Sequence, residues 1–149
     1  MVKTIVYNAV DIAKYVVDYS YDNHRLINLL RLHKIMYFIQ CEYLANQNRP
    51  CFKEDFYAWP SGAILHELRY EYRRFGGLMT IFSTGTSNKK YNIQLADMKI
   101  IQEVIEQCEL YSTSQLMDIC RSQDPWVNAR QKSDNKITKE SIIDFFNEE

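Results

Sequence analysis

Glycine and proline are scarce in this chain of 149 residues, with four and three copies respectively. Long flexible loops and low-complexity linkers are therefore excluded as major features. Only four glycines, at 62, 76, 77 and 85, leave no room for a phosphate-cradling glycine loop. No serine sits in a G-x-S-x-G elbow. The four cysteines, at 41, 51, 108 and 120, form no C-x-x-C pair, so the spacing of a zinc ribbon is missing. The longest apolar run is Ile35 to Ile39, far short of a membrane span. There is no positively charged start leading into an apolar stretch, so no secretory signal is expected. These absences point to a cytoplasmic setting, with no membrane contact and reduced cysteines serving as small core residues.

Aromatic residues are plentiful by contrast: eleven tyrosines, seven phenylalanines and two tryptophans. Such a content builds either a rich core or a surface made for contact. The length suits one domain over residues 1–149, large enough to fold without staples. The net charge is −1, but it is unevenly spread. Residues 1–90 hold 12 basic and 8 acidic side chains, hence +4, and residues 91–149 hold 6 and 11, hence −5. That asymmetry can steer a charged protein partner but is too mild to argue for DNA by itself.

Periodicity predicts a mainly α fold, α+β with one small β-hairpin, arranged around a central buried helix. A first helix is expected over about Val10 to Tyr19, with Ala9, Ile12, Ala13, Val16 and Val17 on one face. The second, over about Arg25 to Asn46, carries Leu26, Leu29, Leu30, His33, Tyr37, Cys41 and Leu44 on one side and Ile27, Ile35, Ile39 and Tyr43 elsewhere. A helix apolar nearly all round belongs at the centre. "CFKEDFYAW" reads as a short strand or extended arm. A third helix is expected after Pro60, capped by Ser61, with a stripe of Ile64, Leu65, Leu68, Tyr72 and Phe75 and an end at Gly76-Gly77. "MTIFSTGTSNKKYNIQL" reads as the hairpin. The helical period returns from about Asp97, and Ser112 to Gln115 forms a capping box. Asp124-Pro125 reads as a cap followed by proline, and Thr138 caps a last helix that turns Ile142, Phe145 and Phe146 inward.

Catalytic and metal sites were sought by their geometry. "HELRY" at His66 opens like a zinc-protease helix, but Tyr70 stands where the second histidine is needed. His33 and Cys41 are eight residues apart on one helix, about 12 Å, so they cannot act as a nucleophile pair. His33 reads instead as a core histidine. No catalytic residue, metal ligand or cofactor is expected.

One face does ask for an explanation. His66, Arg69, Tyr70 and Arg73 fall at i, i+3, i+4 and i+7 of the third helix, opposite its apolar stripe, with Tyr57 nearby in the preceding arm. The face reads in three ways: an ordinary solvated helix surface, a protein contact rich in Tyr and Arg, or a nucleic-acid grip of arginines and a stacking ring. The near-neutral charge weighs against the third.

Residues 8–147 resemble the Panacea domain, found in SocA-like antitoxins and many phage-associated proteins. The likeness is carried by "LHKIMYFIQCEYLANQNRPCFKEDFYAWPSGAILHELRYEYRRFG", then "DPWVNAR" and "ITKESIIDFF" in order. Leu32, Lys34, Tyr37 and Phe38 match the central helix. Ala58, Trp59 and Gly62 match an arm and turn, and Asp124, Pro125 and Trp126 a later cap. The family's usual Gly-Pro after the Ala-Trp pair is replaced by Trp59-Pro60-Ser61-Gly62-Ala63, so the turn has its own shape here. The resemblance implies a compact helical antitoxin, encoded by a bacterium or a phage, that neutralises a cognate protein toxin by direct binding. One branch delivers its toxin to the ClpXP protease. It implies no catalysis. Other readings are an autoregulatory nucleic-acid-binding protein and a phage-borne inhibitor of another host protein. Trp59 is expected to wedge between the central and third helices, with Gly62 allowing close backbone approach, and Trp126 is expected in the core.

Overall fold

Helix α2, Leu29–Glu42, is the element around which the rest is arranged, as seen in a computed structural model that describes residues 5–76, 80–81 and 91–148. Ten of its fourteen residues are buried. The Asn28 side chain caps it by accepting from the Arg31 N–H. The helix therefore starts later than Arg25, and Leu26, assigned by periodicity to its apolar side, is instead 79% exposed ahead of the cap. The chain runs on from Glu42 into a π-helical turn, Tyr43–Gln47, which ends at Asn48 in the left-handed region.

Against α2 pack α1 (Ala9–Asp22), α4 (Leu95–Cys108) and α5 (Thr113–Ser122). Their apolar stripes join that of α2 in one contiguous core, to which they bring Ile12, Val16, Ile101, Ile105 and Leu116. Each such side chain contributes about 1.5–3 kcal/mol through burial. The predicted capping box at the start of α5 is present: Ser112 accepts from the Gln115 N–H, and Gln115 accepts from the Ser112 N–H. Thr138 likewise caps α7, Lys139–Asn147, whose Ile142 is buried while Phe145 and Phe146 are half-buried. The cap of α6, Asp124–Arg130, differs from expectation: Gln123 holds the cap position, and Asp124 is the exposed first helical residue ahead of Pro125. Gln123 has a separate role, because its side-chain carbonyl accepts from the Tyr37 hydroxyl at 2.7 Å, tying α6 to α2.

A small antiparallel sheet has the order β2-β1-β3. Its strands are β1 (Phe56–Trp59), β2 (Gly62–Ile64) and β3 (Lys136–Ile137). The register pairs Trp59 with Gly62, Ala58 with Ala63 and Tyr57 with Ile64. The described hairpin thus sits where the sequence suggested the start of the third helix. Pro60 and Ser61 form its turn, and helix α3 begins only at His66, running to Glu71. A 3-10 turn, Arg73–Phe75, follows and ends at Gly76 with φ +67°. The hairpin expected over 79–95 lies largely outside the described residues.

Asp97, in the first turn of α4, is buried and forms a hub. The hydroxyls of Tyr7 and Tyr43 donate to its two oxygens at 2.5 and 2.7 Å, and Arg49 Nη2 donates at 2.7 Å. Burial alone would raise this carboxyl, but the three donors and the Arg49 charge outweigh it and hold its pKa below the usual value. The hub fastens the segment before α1, the end of α2 and the start of α4 together.

Candidate interaction surface

The hairpin and α3 meet at a corner whose construction follows from strand alternation. Phe56 and Ala58 point into the core, and Tyr57 and Trp59 point away and are half-buried. Trp59 is therefore not a wedge between the central and third helices. Its indole lies on the outer side of β1, with the Arg69 guanidinium over it at 4.3 Å and the His66 ring edge-on at 5.7 Å. Tyr57 meets His66 at 4.6 Å between ring centroids. The alternation in Phe56-Tyr57-Ala58-Trp59 was the available signal for this outward placement.

His66, Arg69, Tyr70 and Arg73 are all exposed, as the helical spacing predicted, and Tyr70 is 69% accessible. Arg73 lies over the Tyr70 ring at 4.2 Å and donates from Nη1 to the Tyr70 carbonyl at 2.7 Å. The structure thus brings Tyr57, Trp59, His66 and Arg69 into one aromatic–cationic cluster, continued by the stacked pair Tyr70 and Arg73.

Behind the cluster, side-chain donors hold the hairpin's carbonyls one by one. Arg130 donates to Ala58 O at 3.1 Å, Trp126 Nε1 to Trp59 O at 2.9 Å and Arg121 to Pro60 O at 3.2 Å. Lys34 Nζ donates to Ala63 O at 3.3 Å. Trp126 is half-buried rather than fully inside, its N–H spent on this corner. Gly62 is favoured chiefly by its backbone. Its φ of +113° is one that residues with a side chain rarely adopt, and a β-carbon there would sit 2.9 Å from Lys34 Nζ, at the flexible end of that side chain.

Lys34 is fully buried, and Ala63 O is its one hydrogen-bond acceptor among the described residues. Burial pushes its pKa down to about 8, with the Cys120 thiol opposing and the Arg121 charge adding to the fall. His33 is buried beside it, and its Nδ1 accepts from the Leu65 N–H at 3.1 Å, which fixes the entry to α3. Burial lowers its pKa to about 3, helped by the charges of Lys34 and Arg69, so the ring is neutral. The four cysteines are free and buried, and burial raises each thiol, Cys108 to about 12. Such thiols pack rather than attack.

Of the other residues singled out in the sequence, Leu32, Tyr37 and Ala58 are fully buried and Pro125 is buried. Phe38 is half-buried and lines a separate groove of about 430 Å³ among α2, α4, α5 and α7, together with Cys41, Val104, Cys108, Leu116 and Phe146. No group of three or more histidine, cysteine, aspartate or glutamate side chains is placed to hold a metal among the described residues. No described helix is long and apolar enough to cross a membrane.

Residues 32–127, from the middle of α2 to α6, match the family described as Antitoxin SocA-like, Panacea domain. The chain belongs to that family. The Panacea match takes in the hairpin, the whole of α3 and the buried Lys34, so the corner lies within the matched span. No curated protein and no solved structure gives a match.

Proposed function

We propose that this chain is an antitoxin that neutralises a protein toxin by direct, stoichiometric binding, with no chemistry of its own. Membership of the SocA-like Panacea family supports a place in a toxin–antitoxin pair. The observation that carries the binding reading is the exposed cluster of Tyr70, Arg69, Arg73 and His66 on α3, backed by the half-buried Tyr57 and Trp59. Tyrosine, tryptophan and arginine dominate the energetics of protein contacts, and a rigid backing lowers the entropy lost on binding.

Co-expression with the protein encoded by the adjacent open reading frame, scored for rescue of growth and for co-purification at equal stoichiometry, tests the proposal. Rescue with a 1:1 complex is the expected result. Replacing Arg69 and Tyr70 together by alanine should weaken that complex by about tenfold or more while leaving thermal unfolding unchanged. Unaltered affinity would remove this face from the contact. Rescue without any complex would overturn the direct-binding reading.

A further inference from the structure

Several cations elsewhere in the molecule find carboxylates. Arg25 holds Glu106 and Glu109, Arg31 holds Glu109, Arg49 holds Asp97, and Lys136 and Lys139 share Asp55. Arg69 and Arg73 at the α3 corner are among the cations that do not. No carboxylate lies within ion-pair distance of Arg69 or Arg73 among the described residues; their neighbour Glu71 turns to Lys14 instead. Each guanidinium lies over a ring, Arg69 on Trp59 at 4.3 Å and Arg73 on Tyr70 at 4.2 Å. Stacking spends the flat face of the fork and leaves most of its in-plane N–H donors open. Arg69 uses one nitrogen on His66 Nδ1 at 3.5 Å, and Arg73 one on the Tyr70 carbonyl. The side chains are thus held in place before anything binds, exposed to solvent and with no acid to receive them among the described residues.

We infer that this face takes a segment of a partner protein bearing two carboxylates about one helical turn apart, one for each stacked arginine. The inference rests on the protein-binding reading above and names the chemistry of the bound segment. Arg69 and Arg73 are four residues apart, about 6–7 Å along the axis through the end of α3 and the 3-10 turn. An acidic pair at i and i+4 on a partner helix has the same spacing. Charge complementarity comes from the surrounding positive charge as well: Arg130 and the buried Lys34 frame the hairpin behind the two forks, while Arg121 is paired with Asp118. A nucleic acid fits less well. One face of the Trp59 ring and one of the Tyr70 ring, where a base would stack, is already taken by an arginine, and the chain's net charge is −1.

The test uses the full chain and three alanine-based helical peptides, with Glu, Gln or Lys at paired i, i+4 positions, plus a single-stranded oligonucleotide of similar length. Binding is read from the amide signals of α3 and the indole N–H signal of Trp59. The Glu peptide should shift these signals, with an affinity that weakens as salt is raised, and the Gln peptide should not. Arg69→Gln/Arg73→Gln should lower the Glu-peptide affinity about tenfold, and Arg69→Lys/Arg73→Lys should recover only part of it, since an ammonium has no fork. Arg69→Glu/Arg73→Glu should turn the preference to the Lys peptide, a gain that a merely unfolded variant could not show. No response to the Glu peptide at millimolar concentration, equal response to the Gln peptide, or tighter binding of the oligonucleotide would each overturn the inference. A toxin held equally by wild type and by Arg69→Gln/Arg73→Gln would leave the antitoxin reading standing and sink this one. A Glu-peptide response in a chain that rescues no toxin would do the reverse.

Discussion

The Asp97 hub and the hairpin corner are both built on a buried ionisable group, and they treat it in opposite ways. Asp97 receives three donors, one of them from an arginine, and its charge is fully answered inside the protein. Lys34 has three protons to give and one carbonyl to receive them. Around the hub every strong donor is used. Around the corner, Arg69 and Arg73 keep open donors at the surface. A buried charge with a complete set of partners secures the fold and leaves nothing for another molecule. A corner with surplus donors gives up some stability and keeps the capacity to recognise something else.

The largest effect should come from breaking the hub. Asp97→Ala strands two tyrosine hydroxyls and Arg49, and loss of one side of a buried pair costs about 3–5 kcal/mol. Denaturant titration should register that loss, and if the variant remains folded its Glu-peptide affinity should match wild type. A loss below about 1 kcal/mol would erase the contrast between the two regions.

Next in size is the pH dependence of Lys34→Met. Lysine titrates near 10.5 when unfolded and near 8 in the folded chain. Between those values the unfolded state binds more protons, so this group makes stability rise with pH across the window; below about 8 the folded state carries the full burden of the buried charge. The stability of Lys34→Met relative to wild type should therefore be greatest at pH 7 and fall by about 3 kcal/mol by pH 10.5. The buried cysteines, with thiols raised above their usual values, pull in the opposite direction at high pH; Cys41, Cys51 and Cys108 act equally on both chains and cancel in the difference, while Cys120, which faces Lys34, does not cancel in full. A difference that does not change with pH would mean that Lys34 is answered as fully as Asp97.

Much of the scaffold was legible in the sequence because its signals are local. The stripe of α1, the Ser112–Gln115 box and the Thr138 cap each lie within a few residues of the structure they specify. The outward face of α3 was legible for the same reason. The hairpin was not: Ile64, Leu65, Leu68 and Tyr72 fit a helical period, and Ser61 looks like a cap. Pairing of Gly62–Ile64 with β1 overrides that local pattern, and β1 is held on its other edge by Lys136–Ile137, far along the chain. The hub was invisible for a similar reason, since Tyr7 and Asp97 are 90 positions apart. Lys34 could be matched to a motif, but its burial could not be read from it.

The smallest effect sharpens the comparison from the other side. Arg69→Gln/Arg73→Gln should change folding stability by no more than about 0.5 kcal/mol, because exposed donors without acids contribute little to the fold. Thermal unfolding checks this, and a larger loss would mean that the stacked arginines serve the scaffold rather than the surface.

Gly62 and Lys34 also bear on how this corner can change over generations. A β-carbon at 62 would meet the lysine's amine at 2.9 Å and its last methylene at 3.0 Å. A side chain at 62 therefore asks the flexible end of Lys34 to shift within a buried site, and the backbone angle of +113° penalises the newcomer whatever stands at 34. A shorter residue at 34 removes the first cost and leaves the second, which ties the fates of the two positions together.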